Sequence, residues 1–324
     1  KTDRTALDVP PEKLIDRLNR KALAQQKQFG ALYRNVLLPA LDKAGVRLLS
    51  GTALSKEQRQ FARTYFTQQV APLLNTAAIR TGNAPFIEDR KLYFACRLRT
   101  KGRERLVLLN IPSDELGRFV ALPSSKGKQD MMFLDDLIRS YIGDLFTGHH
   151  VLGCYAVKLS RDAELYLDEE FAGNVKERVR KSLRKRRTGV PSRFLYDSAT
   201  PAPLLRALRA LLGLTKQDAV AGGRYHNFSD LLSLPVKGHA ELRDKPWPPV
   251  LHPAMATARD PFRVLAAGDR LLHFPYHDFN QLVTFLAFAA KDKRVEHIAI
   301  TLYRVADGSA VCEALMEALR KGKQ

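Results

Sequence analysis

Cysteine is scarce in this chain of 324 residues, which has only Cys96, Cys154 and Cys312. The sequence contains no CxxC pair, and three thiols cannot form the even-numbered framework of a disulfide-stapled domain. We expect them to be reduced, buried side chains, as in a protein of a reducing compartment. No apolar run is long enough to span a bilayer, and the start, KTDRTALDVPPEK, lacks the apolar centre of a signal peptide. These features predict a cytoplasmic protein without a transmembrane segment.

Acidic residues are also few relative to basic ones. The chain carries 53 Lys and Arg against 34 Asp and Glu, a formal charge of +19. Such an excess favours polyanionic partners. By charge alone, nucleic acid ranks first among these partners, acidic membranes second and phosphate polymers third.

Known catalytic and metal-binding patterns are missing as well. The sequence has no HExxH, no P-loop and no His-x-Lys. Among its eight histidines, His149 and His150 are adjacent and would point apart, while Pro275 between His273 and His277 argues against a helix that carries both as ligands. We interpret each histidine as structural or exposed.

The patterns that are present predict a mixed α/β fold. Residues 12–43 have apolar residues at helical spacing, and Ser55 with Gln58 forms a capping box for a second helix. The segments LYFACRLR and RLVLLNI flank TKGRE and predict an antiparallel hairpin. Predicted helices and strands then alternate, including a helix at residues 133–146.

A proline-rich connector, KPWPPVLHP at residues 245–253, separates this part from a second one. There, DRLLHFPYHDF, a helix at 279–290, a strand at 298–303 and a helix from about Ser309 predict a βαβα order. The next element should be a strand parallel to the first.

The most basic segment is NVKERVRKSLRKRR, residues 174–187. Its basic side chains either form a polyanion-binding face or are only the solvated side of a helix, and the sequence leaves both interpretations open. No aromatic residues are interleaved for base stacking, which weakens a single-stranded nucleic-acid interpretation. The candidate polyphosphate-binding residues here are Arg178, Arg180, Lys181, Arg184 and Lys185.

The loop GGRYHNFSDLLSLP, residues 222–235, is a second candidate. Its glycines permit a tight turn, and Arg224 with the residues after it supplies a row of hydrogen-bond donors for phosphate oxygens. The alternative is an ordered connector whose polar groups satisfy nearby backbone, and composition favours that alternative.

Arg304 follows the predicted strand and precedes the helix that starts near Ser309. Ligands of open parallel sheets bind outside the carboxyl ends of strands. An arginine there, beside a helix N-terminus, suits an anion. The alternative is an exposed ion pair with Asp307.

Several motifs together resemble the polyphosphate kinase family. They are LLHFPYHDF, AITLYR with the Ser-containing turn and helix after it, GGRYHNFSDLLSLP, LSRDAEL, IPSDELGRFVALP and FLDDLI. They occur in the family's order over nearly the whole chain. The resemblance implies an enzyme that reversibly transfers the terminal phosphate of ATP to inorganic polyphosphate through a phosphohistidine, with Mg²⁺.

The resemblance also implies a domain layout. Residues 1–45 would end an N-terminal helical domain, residues 46–261 would form an α+β head domain, and residues 262–324 would begin a phospholipase D-like α/β catalytic domain. The phosphorylated histidine would lie beyond Gln324, and the family's metal- and phosphate-associated arginine falls on Arg304. We expect ATP or ADP and polyphosphate as ligands, a homo-oligomer (dimer or tetramer), and no stable nucleic-acid partner.

Two rival functions remain open from the residues alone. A basic nucleic-acid-binding protein would account for the charge of +19 but should carry a reader motif, and none is present. A phospholipase D-type nuclease or hydrolase would need two His-x-Lys motifs.

Overall fold

The computed structural model describes residues 10–79, 85–125, 127–161, 189, 191–256, 258–303, 305–306 and 308–324. The chain divides into two units, Lys1–Gly238 and His239–Gln324. The helices of the first unit are α1 (Pro11–Leu32), α2 (Leu38–Lys43), α3 (Lys56–Tyr65), α4 (Ser113–Leu116), α5 (Leu134–Leu145) and α6 (Ala202–Leu212). Its strands are β1 (Val46–Leu48), β2 (Thr76–Ile79), β3 (Leu92–Thr100), β4 (Arg103–Asn110), β5 (Phe119–Ala121), β6 (Gln129–Phe133), β7 (His150–Arg161), β8 (Pro191–Asp197) and β9 (Ala219–Gly222).

A six-stranded sheet in the order β2-β4-β3-β7-β8-β9 is the centre of the first unit. Its neighbouring strands are antiparallel, except that β8 and β9 are parallel. The predicted hairpin is confirmed as β3 and β4, with Lys101 and Gly102 in the left-handed conformation at its turn. The predicted capping box is confirmed too, since Ser55 and Gln58 bond each other's backbone N–H groups at the start of α3.

Both faces of the six-stranded sheet are buried. On one face, Phe94, Cys96 and Leu98 of β3 belong to a core shared with α5. On the other face, Tyr93 and Ala95 belong to a core shared with α6. Successive residues of a strand point to opposite faces, so a strand covered on both sides is a continuous apolar run, as LYFAC at the start of β3 is.

The first unit also contains a smaller sheet of three strands, in the order β1-β6-β5. Strand β1 is parallel to β6, and β5 is antiparallel to it. The end of β6, Phe133, leads directly into α5, so the adjacent acidic residues Asp135 and Asp136 enter the first helical turn with almost no exposure. Phe133 itself packs face to face on Tyr225, with ring centroids 4.2 Å apart.

The first predicted helix is confirmed as α1 and α2, joined by a π-helical turn at Tyr33–Leu37. Its apolar stripe is largely unburied within the described part of the chain. Leu18, Leu32 and Val36 are each about half exposed. Tyr33 is the buried exception, and its ring packs edge-on against Phe228.

The second unit contains α7 (Pro253–Ala256), α8 (Pro261–Ala266), α9 (Asn280–Lys291) and α10 (Ala310–Arg320). The two predicted helices are confirmed as α9 and α10, and residues 244–249 have no regular structure, as the proline-rich connector predicted.

The βαβα order was wrong for the described residues of the second unit. A strand needs a hydrogen-bonded neighbour along its length, and each predicted strand meets only one residue of another segment. His277 forms a single parallel bridge with Val250. Gln324 donates its N–H to the Glu296 carbonyl and accepts from the Ile298 N–H. The mixed α/β class itself is confirmed.

Candidate functional site

The loop at residues 222–228 leaves the carboxyl end of β9 and enters a 3₁₀ turn, Phe228–Ser233. Gly222 allows a close approach there, because a Cβ would lie 2.9 Å from Leu195 Cδ1 and 3.3 Å from His226 Nε2, and the Leu195 side chain would have to shift. Asn227 has a φ of 57°, the left-handed conformation that asparagine tolerates better than most residues. The sequence GGRYHN therefore makes a tight turn that directs its side chains back toward the sheet.

The buried carboxylate of Asp136 anchors this loop. It accepts hydrogen bonds from Arg224 Nη2 at 2.8 Å, from the Tyr225 hydroxyl at 2.5 Å and from Arg139 Nη1 at 3.2 Å. Arg139 also donates to the Arg224 carbonyl, which ties the loop backbone to α5. Burial and the Asp136 charge raise the pKa of Tyr225, so this phenol stays protonated and donates to the carboxylate.

A second buried carboxylate, Asp135, pairs with Arg118. Arg118 Nη2 donates to Oδ1 at 2.8 Å, and Arg118 Nε lies 2.7 Å from Oδ2 as an ion-pair contact that is not aligned as a hydrogen bond. Both side chains are at most 2% exposed. Arg118 also contacts Asp230 of the 3₁₀ turn at 3.1 Å. Burial raises the pKa of Asp135, and the charges of Arg118 and Arg139 oppose that shift.

His226 is buried among these cations. It is 3% exposed, and neither ring nitrogen has a well-aligned hydrogen-bond partner among the described residues. Burial, followed by the charges of Arg118 and Lys158, lowers the pKa of His226 to about 3. The imidazole is therefore neutral at physiological pH. Burial and the charge of Arg90 also lower the pKa of Lys158, whose Nζ donates to Asn227 Oδ1 at 2.5 Å.

The cluster is close to electrically balanced. Its cations are opposed by three carboxylates, and the arginines donate to these carboxylates rather than into open space. Arg224 also donates to Asp136, but its side chain is 54% exposed, whereas those of Arg118 and Arg139 are buried or nearly so. The arrangement can present one oriented guanidinium to an anion, and it holds no nucleophile next to an activating base. The cations are Arg118, Arg139, Lys158 and Arg224.

The structure places few of the predicted site residues. Arg224 is described, and its role in binding polyphosphate stays a prediction. Arg304 and its alternative partner Asp307 lie outside the described residues. So do all five candidates of the basic segment: Arg178, Arg180, Lys181, Arg184 and Lys185. Near Arg304, Ser309 caps α10 by accepting from the Cys312 N–H, which confirms the predicted helix start.

Sequence reasoning missed the partners of the loop. Asp135, Asp136 and Arg118 occur in the quoted motifs FLDDLI and ELGRF, but they were not recognised as buried charges. A usable signal was present, since two adjacent acidic residues inside an otherwise apolar helix start are rarely left in a core unpaired.

Comparison with protein families matches two consecutive regions of the chain. Residues 57–234, more than half of the chain, match the polyphosphate kinase middle domain. Residues 260–324 match the polyphosphate kinase C-terminal domain 1. The chain belongs to the polyphosphate kinase family. The resemblance drawn from the motifs is confirmed, and the loop at 222–228 lies inside the middle-domain match.

Individual polyphosphate kinases agree with this assignment. The chain is 33% identical over 319 residues to the polyphosphate kinase of Vibrio cholerae and 32% identical over 321 residues to that of Escherichia coli K12. In both cases the match covers 96% of this chain and less than half of the relative, 45% and 46% respectively. The chain thus spans about half the length of the polyphosphate kinases it matches.

A solved structure gives the same result for the fold. The crystal structure of polyphosphate kinase from Porphyromonas gingivalis superposes with a TM-score of 0.74 at 28% identity, over 97% of this chain and 46% of that one. The comparisons give no support to the nucleic-acid-binding alternative. Among the described helices, none has both the length and the apolar character needed to cross a bilayer.

Proposed function

We propose that this chain is part of a polyphosphate kinase that reversibly transfers the terminal phosphate of ATP to inorganic polyphosphate through a phosphohistidine. The order of the two family matches along one chain, middle domain and then C-terminal domain 1, carries this proposal. By the same assignment, residues 1–45 end an N-terminal helical domain, residues 46–261 form the head domain and residues 262–324 begin the first catalytic domain.

Catalysis in this proposal needs a histidine nucleophile that the resemblance places beyond Gln324. None of the eight histidines lies in a His-x-Lys setting. His226 is also a poor nucleophile for a large substrate, because its ring is 3% exposed. A covalent phosphoryl intermediate cannot form without an accessible nucleophile. We therefore assign binding and positioning of phosphate, rather than the covalent step, to the residues of this chain.

Arg304 is our proposed contact to the transferring phosphate. Two observations support the assignment: Arg304 lies inside the region matched to C-terminal domain 1, and the capped N-terminus of α10 begins at Ser309, a few residues later. The transition state of phosphoryl transfer carries negative charge on its equatorial oxygens. A guanidinium fork and the N–H groups of a helix start both stabilise such charge.

The experiment is steady-state turnover of ATP and polyphosphate by the full-length parent enzyme and its Arg304 variants. Arg304→Ala should lower turnover about a hundredfold or more. Arg304→Lys should recover only part of it, because a point charge cannot replace the bidentate fork. The 324-residue chain, assayed alone, should form no phosphoprotein from labelled ATP.

The matched control is Arg320→Ala on α10, which removes an arginine whose side chain is 70% exposed and paired with Glu317. It should leave turnover near normal. Near-normal turnover of Arg304→Ala would instead assign Arg304 to an exposed ion pair. Acid-labile label on a histidine of the chain would contradict the proposed location of the nucleophile.

Magnesium is the cofactor that the family resemblance implies. The described residues do not fit a resident metal site, since they contain no group of three or more His, Cys, Asp or Glu side chains arranged to hold an ion. Arginine seldom ligates a metal directly. We propose that Mg²⁺ enters bound to the phosphates of ATP, so that Arg304 acts on the metal only indirectly, through phosphate.

We also propose that polyphosphate binds basic side chains of this chain, with Arg224 and the segment at 174–187 as the candidates. The charge of +19 and the exposed guanidinium of Arg224 support this proposal. Each phosphate neutralised by a basic side chain releases condensed counterions, so affinity should fall steeply with salt. Replacing the five candidates of the segment by glutamine should weaken binding and flatten the salt dependence. Fluorescence titration of labelled polyphosphate at several salt concentrations measures both.

The control removes the same number of positive charges from α1, whose basic side chains are exposed. The control set is Lys13, Arg17, Arg20, Lys21 and Lys27. Equal losses in the two variants would contradict a defined binding surface. If duplex DNA of equal charge displaces polyphosphate efficiently, the result would favour the alternative of a nucleic-acid-binding protein.

The assembly and location of the enzyme are part of the same proposal. We propose a homo-oligomer, a dimer or a tetramer, in the cytoplasm. The apolar face of α5 is not available for contact between subunits, because its residues Leu134, Leu137 and Ile138 are fully buried in the core of the first unit.

A further inference from the structure

Two of the three cysteines lie directly opposite each other in the six-stranded sheet. Cys96 of β3 and Cys154 of β7 are register partners in an antiparallel pair. Side chains at such positions share one face of the sheet. Both residues accordingly belong to the core on the α5 face, Cys96 inside it and Cys154 packed at its edge.

The spacing of such a pair suits a disulfide. Directly opposite residues of antiparallel strands have Cα atoms about 4.5 to 5.5 Å apart, and disulfides join Cα atoms about 4.4 to 6.8 Å apart. The Cβ atoms of a disulfide are on average about 1 Å closer than those of an unbonded cross-strand pair. A small approach of two neighbouring strands is therefore enough to close the bond.

The two thiols differ in access. Cys96 is fully buried, whereas Cys154 is partly exposed. The adjacent Cys154 thiol and burial raise the pKa of Cys96 well above its usual value, while the charge of Arg139 opposes that shift. A reagent from solution therefore reaches the Cys154 thiol before the Cys96 thiol, which lies beside it in the core.

We propose that Cys96 and Cys154 form an oxidation site, at which a hydroperoxide converts the two thiols into an intrachain disulfide. The Cys154 thiol gives up its proton, its sulfur attacks the peroxide and the O–O bond breaks. Cys154 becomes a sulfenic acid, and the released oxygen takes up the thiol proton and leaves as an alcohol, or as water when the oxidant is hydrogen peroxide. The Cys96 sulfur then attacks the Cys154 sulfur. An S–S bond forms, the S–O bond breaks, and the hydroxide leaves as water with the Cys96 proton. The two thiols lose two electrons to the peroxide.

Arg139 connects this site to the loop at 222–228. Its guanidinium lies 4.6 Å above the ring of Phe94, two residues before Cys96 on the same face, and its Nε donates to the Cys154 carbonyl at 3.4 Å. The same side chain donates to Asp136 and to the Arg224 carbonyl. Arg139 thus contacts both the strand that carries Cys154 and the loop at 222–228.

The test treats the native 324-residue chain with hydrogen peroxide and maps its cysteines by alkylation and peptide mass analysis. We expect Cys96 and Cys154 to lose alkylation together, a linked peptide pair that contains both, and recovery of both thiols with dithiothreitol. The link should form at least about tenfold faster in the native chain than in urea, because the fold holds the two sulfurs together.

The matched control is Cys312→Ser, which removes the third thiol and should leave the link unchanged. Cys154→Ala should protect Cys96 from oxidation. Mapping the unsubstituted chain decides the question even where a variant folds poorly. Accumulation of Cys154 sulfinic acid beside a freely alkylated Cys96, a Cys154–Cys312 link, or equal rates in urea would each overturn the proposal.

Discussion

The first unit, up to Gly238, covers both faces of its main sheet, whereas the second unit, from His239, leaves about half of its large apolar side chains exposed and fully buries few. In the second unit, Trp247 is 85% exposed, Leu271 83% and Tyr303 95%. Its buried apolar residues are few and mostly small: Leu286, Ala289, Ala290, Val311 and Ala318. Since apolar burial supplies most of the free energy of folding, the two units should differ in stability.

The two units also differ in how deeply their ion pairs are buried. The first buries Asp135 and Asp136 and pairs each with arginine. The second has an exposed network in which Arg294, 59% exposed, bonds Asp292 and Asp260. A buried charge that loses its partner is costly, while an exposed one is solvated by water. Stability in the first unit should therefore depend on its ion pairs far more than in the second.

The largest expected effect comes from separating the buried pair. Arg118→Met leaves the Asp135 carboxylate without its partner in the core and should lower the free energy of unfolding by about 3–5 kcal/mol. The equivalent change in the second unit, Arg294→Met, should lower the free energy of unfolding far less, because ion pairs near the surface contribute little to stability. Urea unfolding of the two variants measures both losses.

The double variant Arg118→Met, Asp135→Leu gives the internal control. Because it removes the stranded charge as well, it should be more stable than Arg118→Met alone. A double variant that is less stable than the single one would show that packing of the arginine stem, and not its charge, governs the site.

The next effect concerns apolar packing. Leu137 on α5 is fully buried, and Leu137→Ala should cost about 2–5 kcal/mol through lost burial and the cavity left behind. Leu271→Ala, the same substitution in the second unit, should change the free energy of unfolding by about 0.5 kcal/mol or less. Similar losses in urea unfolding would mean that Leu271 is covered in solution.

A smaller effect should be visible in how the free energy of unfolding of the first unit depends on pH. Burial lowers the pKa of His226 to about 3, so the folded state keeps this ring neutral while the unfolded chain protonates it below its ordinary pKa of about 6.5. The stabilisation is complete above pH 6.5 and is lost as the pH falls toward 3, by on the order of a few kcal/mol. His226→Gln should remove most of this slope in unfolding measured between pH 7 and 4.

In the second unit, the pH dependence of stability should appear only at lower pH. Hydrogen bonds from Arg294 lower the pKa of Asp292 to about 2, so that this contribution is present above pH 4 and is lost only as the pH falls toward 2. Asp292→Asn should therefore leave the pH dependence of the free energy of unfolding between pH 7 and 4 unchanged. A loss of the His226 slope in Asp292→Asn would contradict separate titration of the two residues.

Elements that depend on near neighbours were predictable from the sequence. The capping box of α3 joins residues three apart, and the β3–β4 hairpin joins strands across two turn residues. Helix α6 follows Pro201 and ends at Gly213 in the left-handed conformation, and both residues are local signals for the ends of a helix. In each case the residues that form the contacts stand within one local pattern.

Contacts between distant segments were not predictable. The partners of Asp136, Arg224 and Tyr225, lie 88 and 89 positions along the chain. The strand predicted at 298–303 failed for the same reason, because an apolar alternation does not show whether a neighbouring strand is available. Likewise, the spacing of Cys96 and Cys154 in the sequence gives no sign that they are register partners.

The sequence by itself determined the family, the mixed α/β class, the longer helices and the β3–β4 hairpin, since motifs and periodicity are properties of consecutive residues. Only the tertiary structure decided which charges are free to act. Of the basic and acidic residues near the loop at 222–228, it buried Arg118 and Asp135 together, held His226 neutral and left Arg224 half exposed. These outcomes depend on desolvation and on partners brought together by folding, and neither can be read from the order of residues.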